Sequence, residues 1–196
     1  TQFAALNSDQ IGALTNAQVG SLSTTQINGL NSDDLNALTT DQIPSLTSAQ
    51  VAAIGTTQIS KMTTDDVAAL TTTAVRALTT DQIRALTTDE VVALTAAQVA
   101  ALSSTQAAAL TTLQLNKMET NDLQALTTTA IRALSSTQIN NLTSDQIGVV
   151  TVHEGPTLPP GELIAPAVGT DKDAPDFHNN YQDIEAFLQA GGRRGV

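Results

Sequence analysis

The chain has 196 residues and a net charge of −11, with 41% hydrophobic, 14% charged and 2% aromatic residues. The charged fraction is well below the roughly 25% of typical globular proteins. No basic cluster is present, so nucleic acids and anionic membrane surfaces are poor partners. The absence of cysteine excludes disulfides, thiolate zinc sites and a cysteine nucleophile. No apolar run approaches the ~20 residues of a membrane span.

An eight-residue repeat fills residues 1–150 without insertion or deletion. We label its positions a to h, with a at Leu6 and at every eighth residue after it. Position a is nearly always Leu, position f is Ile, Val or Leu except at Ala107, and position h is mostly Ala. Eight residues turn an α-helix through about 800°, so the Leu positions would spiral around a continuous helix. On a strand, a and f would point to opposite faces. The period therefore predicts a short element that restarts in every octad.

Helix-capping residues mark the restart. Position b is Asn, Thr or Ser almost throughout, and these are preferred N-cap residues. Three residues later, position e is Gln or Glu in 13 of 18 octads, which completes the capping box. The helix-capping pairs that we single out are Thr39 with Gln42, Thr79 with Gln82, and Thr87 with Glu90.

Each octad is expected to form a helix of six or seven residues, from c to the next a, with b as both cap and one-residue corner. Positions f and a then share the inward face, with Ala at h beside them. Helices this short are unstable alone. They are predicted to coil and stack into an all-α solenoid, or superhelix, over residues 1–150. A β-solenoid is the alternative because Thr and Val favour strands, although the capping boxes argue against it.

Some departures from the repeat recur seven octads apart. Lys61-Met62 and Lys117-Met118 each replace Ala-Leu and are separated by 56 residues. Either a seven-octad block was duplicated, which is the interpretation that we favour, or the coil brings octads seven apart into equivalent places. Pro44 stands at g, where it would break a long helix but is tolerated in a helix of one turn.

Two further regions follow the repeat. Residues 151–178 are rich in Pro and Gly and are predicted to form an extended arm. Residues 179–196 are predicted to form an amphipathic helix and a tail. This arm either caps the open end of its own solenoid or docks on another copy of the chain. The candidate subunit contacts are Phe177, Tyr181, Ile184, Phe187 and Leu188.

Few residues are suited to metal binding or catalysis. The two histidines, His153 and His178, lie too far apart in an irregular arm to favour a metal site. The carboxylate pairs Asp33-Asp34 and Asp65-Asp66 are adjacent helix residues, which do not face each other. No nucleophile elbow, phosphate-binding loop or dinucleotide-binding glycine motif is found. We therefore expect no enzymatic activity, no cofactor and no metal.

A hydroxyl array accompanies the capping residues. Position c is Ser or Thr in 16 of 18 octads, although capping requires no hydroxyl there. This regular array suggests a surface for glycans or ice.

The repeated phrase Leu-[Thr/Ser]-[Thr/Ser]-x-Gln-[Ile/Val]-x-Ala resembles octapeptide repeats of very large secreted or surface-attached bacterial proteins, often described as adhesin-like. The likeness covers about residues 3–150. It implies extracellular or cell-surface display and a structural or adhesive role, and it supplies no catalytic residues. We therefore predict a structural subunit that self-assembles head to tail into an extracellular filament or matrix, linked by the C-terminal arm. The alternative is a spacer or adhesive module that binds glycans or ice.

Overall fold

The computed structural model describes residues 6–142, and these residues form short helices and no strand. One helical segment falls in each octad, so the predicted all-α fold with one short helix per repeat is confirmed there. The arm and the helix predicted for residues 151–178 and 179–196 lie outside the described residues. The α-helices are α1 (Ser8–Gly12), α2 (Asn16–Ser21), α3 (Thr24–Asn28), α4 (Ser32–Leu35), α5 (Ser48–Ala53), α6 (Thr56–Ile59), α7 (Thr64–Ala69), α8 (Thr72–Ala77), α9 (Thr80–Ala85), α10 (Thr88–Val92), α11 (Ala96–Ala101), α12 (Ser104–Ala109), α13 (Thr112–Lys117), α14 (Thr120–Ala125), α15 (Thr128–Arg132) and α16 (Ser136–Asn140).

The corner between successive helices is longer than predicted. Helix α9 ends at Ala85, and Leu86 at position a already has extended backbone angles (φ −54°, ψ 135°). Thr87 at position b follows with φ −68° and ψ 164°. The corner therefore contains two extended residues rather than one, and the helix is correspondingly shorter.

None of the helices in residues 6–142 is long and apolar enough to cross a membrane.

Positions a and f form one continuous core. Ile83, Val91 and Val99 at position f are fully buried, and Leu86 and Leu94 at position a are 4% and 3% exposed. Helices three octads apart pack against each other throughout, as α5 does with α8 and α9 with α12. Burying one such side chain stabilises by about 1.5–3 kcal/mol. This packing offsets the instability of helices with a single turn.

Hydrogen bonds also join successive turns of the superhelix. They connect residues that are 28 and 31 apart in the chain, as from Gln82 to Ile54 and Val51. The helices that pack together are three octads apart. This packing does not by itself account for the seven-octad spacing of Lys61-Met62 and Lys117-Met118, and the duplication stays the interpretation that we favour.

Pro44 changes the local helix type. Its octad contains only a 3₁₀ helix, Ile43–Ser45. Proline has no N–H, so the α-helical hydrogen bond from residue 44 cannot form. Instead, the Ser45 N–H donates to the Gln42 carbonyl oxygen at 2.9 Å. Ile43 remains fully buried, so this octad keeps its place in the core.

Candidate functional site: glutamine rungs between turns

The Gln side chain at position e lies between two turns of the superhelix. Gln82 Oε1 accepts a hydrogen bond from the Thr79 N–H at 2.7 Å, and the Gln82 N–H donates to Thr79 Oγ1 at 3.2 Å. These two bonds are the capping box of α9. In addition, Gln82 Nε2 donates to the carbonyl oxygens of Val51 and Ile54 at 2.8 and 2.7 Å. These carbonyls lie at the C-terminal end of α5, where the Val51 carbonyl also accepts from the Ile54 N–H at 3.2 Å. One side chain thus caps the start of its own helix and the end of another.

We call this arrangement a glutamine rung. In a rung, Oε1 accepts from the N–H of position b in the same octad, and Nε2 donates to the position-a carbonyl 28 residues earlier. The rungs are formed by Gln42, Gln50, Gln82, Gln98, Gln106, Gln114 and Gln138. Because these rungs recur along the described residues, they help to set the register between turns.

An amide is the group that fits a rung. The side chain of Gln82 is 2% exposed, so each of its polar atoms needs a partner within the protein. An amide offers one acceptor and two N–H donors without charge, and the rung uses both ends of it. The spacing of positions b and e predicts the capping role of the side chain at e but not the bonds from its Nε2 atom. The available signal was the strong preference for Gln, at 12 octads against one with Glu, because a capping box accepts either residue.

Acidic residues replace Gln in four octads. They are separated by 32, 24 and 32 residues. Burial raises the pKa of the carboxyl groups of Asp66, Glu90 and Asp122. Glu90 is the nearest analogue of Gln: it is 2% exposed, and its Oε2 accepts from the Thr87 N–H at 2.6 Å. An ionised carboxylate has no N–H, however, so it cannot donate to the preceding turn. The acidic residues at position e are Asp34, Asp66, Glu90 and Asp122.

In the first turn of the superhelix, α1 to α3, the Gln side chains make only one of the two hydrogen bonds that define a rung. Oε1 of its three Gln side chains accepts from position b at 2.8–3.0 Å, as in later octads. Their Nε2 atoms have no acceptor within residues 6–142. Gln10 and Gln18 are exposed and Gln26 is half-buried, whereas the Gln side chains of the rungs are buried.

The predicted capping pairs differ in how they are used. Thr79 with Gln82 and Thr87 with Glu90 form complete capping boxes. The Thr39 N–H donates to Gln42 Oε1 at 2.7 Å, but the Gln42 N–H donates to the Thr39 carbonyl rather than to its hydroxyl. The 3₁₀ geometry imposed by Pro44 explains this difference.

Several sequence candidates lie outside the described residues. They include both histidines and all five candidate subunit contacts: Phe177, Tyr181, Ile184, Phe187 and Leu188. Within residues 6–142, no three His, Cys, Asp or Glu side chains are grouped so that they could hold a metal ion.

Comparison with known protein families agrees with the repeat found in the structure. The ALTTAQ repeat matches residues 1–24, 16–48, 27–64, 59–96, 84–112 and 115–152. These overlapping segments cover most of the chain, and the prediction of an octapeptide-repeat region is confirmed. No curated protein matches the chain. The chain belongs to the ALTTAQ repeat family.

Proposed function

We propose that this chain is a non-enzymatic structural protein whose copies assemble head to tail into an extracellular filament or matrix. The observation that carries the proposal is the recurrence of one interface between successive turns. Helices three octads apart pack together along the described residues, and the rungs recur with them. A copy that continued the same axis would be held by contacts of the same kind. Such a heterologous contact extends into an open filament when the rotation does not close a ring.

In this proposal the C-terminal region links neighbouring copies. Residues 151–196 contain three of the four aromatic side chains, and aromatic side chains carry large contact area. The test is negative-stain electron microscopy with light scattering on the full chain and on residues 1–150. Fibres from the full chain alone would support both assembly and the linking role. Discrete monomers from both proteins would contradict the proposal.

The extracellular location is supported by composition and by the resemblance of the repeat. The chain contains no cysteine, which suits an oxidising environment without disulfides. Its repeated phrase resembles those of secreted and surface-attached bacterial proteins. Protease treatment of intact source cells tests the location. Digestion of the chain before lysis supports surface display, and protection until lysis contradicts it.

A second candidate function is a spacer or adhesive module, and the exposed hydroxyl groups at position c favour it. Thr64, Thr72 and Thr128 are all exposed on the outside of the superhelix. A rod that presents hydroxyl groups at regular intervals would offer repeated hydrogen bonds to glycans or ice. Glycan-array binding and ice-recrystallisation assays test this function. Binding by discrete, unassembled rods would favour it over the filament.

A further inference from the structure

Two asparagine side chains form a second kind of bridge between turns of the superhelix. Asn28, the last residue of α3, donates from Nδ2 to the Ala53 carbonyl oxygen at 2.9 Å. Asn36 donates in the same way to the Lys61 carbonyl oxygen at 2.7 Å. Both asparagines stand at position g, and both carbonyls stand at position h, 25 residues later. We call these contacts asparagine bridges, and the first of them joins α3 to the end of α5.

The two bridges differ in the residue that follows the asparagine. Asn28 precedes Gly29 and forms the only Asn-Gly pair in the sequence, whereas Asn36 precedes Ala37. Glycine has no Cβ, so its backbone nitrogen can approach the side chain of the preceding asparagine more closely than that of any other residue. Asn28 is therefore the asparagine of this chain whose amide is most open to attack by its own backbone.

This pair can lose its amide in water without any other protein. The Gly29 nitrogen bonds to Cγ of Asn28, the bond from Cγ to Nδ2 breaks, and Nδ2 leaves as ammonia with the proton of the Gly29 N–H. Water then opens the resulting cyclic imide at one of its two carbonyl carbons and returns a proton to the nitrogen. Opening at Cγ gives an aspartate, and opening at the backbone carbonyl gives an isoaspartate.

The fold restrains both groups that react. The Gly29 N–H donates to the Thr25 carbonyl oxygen at 3.1 Å, and the Asn28 amide is held by Ala53. Asn28 is also a helical residue, and closure of the ring requires its ψ angle to leave the helical range. Asn28 and Gly29 are both exposed, so water reaches the pair when α3 opens.

We propose that Asn28 is a site of spontaneous deamidation, that the fold delays the reaction, and that its product weakens the joint between α3 and α5. A carboxylate has no N–H and cannot donate to the Ala53 carbonyl. It also places a negative charge at the C-terminal end of α3, where the helix dipole disfavours one. An isoaspartate in addition lengthens the backbone by one carbon, in a repeat without insertions. This inference concerns the durability of the superhelix and does not depend on the proposed assembly.

The first test follows every asparagine of the full chain by peptide mass mapping in mildly alkaline buffer, with the chain folded or unfolded in urea. In urea, Asn28 is expected to convert well before Asn36, which forms the same bridge in the fold but precedes alanine. In the folded chain, conversion of Asn28 is expected to be about ten-fold slower or more, because it requires local opening of α3. Conversion in urea no faster than that of Asn36 would overturn the site, and equal rates with and without urea would overturn the restraint by the fold.

Gly29→Ala is the matched variant for the chemistry. It keeps Asn28 and changes only the residue whose nitrogen attacks. Because the comparison is made in urea, it does not depend on how the variant folds. Conversion of Asn28 is expected to slow to the rate of Asn36. A rate equal to that of the original chain would overturn the route through the Gly29 nitrogen.

The effect of the product is tested with Asn28→Asp and with Asn116→Asp as its control. Asn116 is exposed at the same position g, and its side chain makes no hydrogen bond within residues 6–142. Hydrogen exchange of α3 in Asn28→Asp is expected to be about three-fold faster or more, with a smaller change of α13 in Asn116→Asp. Asn28→Ala removes the bridge without adding charge and should also accelerate the exchange of α3. Unchanged exchange of α3 in both Asn28 variants, or equal acceleration in Asn28→Asp and the control, would overturn the weakening of the joint.

Discussion

The first turn and the middle turns of the superhelix share one sequence pattern but differ in what surrounds it. Thr15 with Gln18 and Thr95 with Gln98 form the same capping box. Gln98 is 2% exposed and donates to the preceding turn, whereas Gln18 is exposed and its Nε2 has no acceptor within residues 6–142. The residues of one octad are therefore sufficient for its capping box, whereas each interface between turns also needs the carbonyls of another octad. The same residue is expected to contribute more in the middle than at the first turn, as repeat architectures imply.

The largest difference is expected at position a. Leu86→Ala should lower the free energy of unfolding by about 2–5 kcal/mol, because the side chain is buried and its removal leaves a cavity. Leu14→Ala should cost less, about 1 kcal/mol, because Leu14 is already partly exposed. Urea unfolding of each variant measures the two costs. Equal losses at both positions would show that the first turn is covered in solution.

The next difference is expected at the rungs. Gln98→Ala removes the side chain that serves the Thr95 N–H and the carbonyls of Val67 and Leu70. Leaving buried backbone groups unpaired should cost about 2–3 kcal/mol. Gln18→Ala removes only a cap partner and should cost about 0.5–1 kcal/mol. Hydrogen exchange localises the loss, which should reach α7 in the Gln98 variant. Confinement of that change to α11 would argue against the rung.

Replacing the acidic side chain at position 90 should create a rung. Glu90→Gln supplies an N–H donor and removes a buried charge, so a gain of about 1–2 kcal/mol is expected near neutral pH. The folded-state pKa of Glu90 is raised by burial. Its contribution to stability is therefore complete below the unfolded pKa of about 4.3 and is lost as pH rises through the folded pKa.

The advantage of Glu90→Gln over the original chain should consequently shrink as the pH is lowered to about 4. Asp66 and Asp122 shift stability in the same direction, but they are present in both proteins and cancel in the comparison. Gln98→Glu is the reverse control and should lose stability mainly at neutral pH. A pH-independent difference between Glu90→Gln and the original chain would contradict this account.

The smallest effect is expected where the two regions are alike. Thr15→Ala and Thr95→Ala each remove an N-cap hydroxyl whose partner lies in the same octad. Both should cost about 0.5–1 kcal/mol, since the capping bond is independent of neighbouring turns. Thr-to-Ser variants retain the hydroxyl and should be nearly neutral. A much larger cost at Thr95 than at Thr15 would show that caps and rungs are coupled.

What the sequence predicts is what a single octad contains. Thr79 and Gln82 are three residues apart, so their capping box follows from local spacing, and the burial of Ile83 and Leu86 follows from their shared face. The bond from Gln82 joins it to Ile54, 28 residues earlier, and this contact cannot be deduced from a single octad. The two-residue corner at Leu86 and Thr87 was not predicted from the sequence either, because a buried Leu at position a is compatible with a helix and with a corner. The preference for Gln over Glu was the indirect sign of these bonds between turns.

The packing of helices three octads apart has a consequence for variation in length. Gain or loss of one whole octad would preserve the chemistry of the rungs, since a Gln at position e can donate to the position-a carbonyl of any octad. It would, however, rotate all later residues by about a third of a turn about the axis. After a change of one repeat, Lys117 and the acidic residues near it would point in a new direction while the core stayed the same. Steps of three octads would restore the original direction, so copies of different length could share one core and expose different faces.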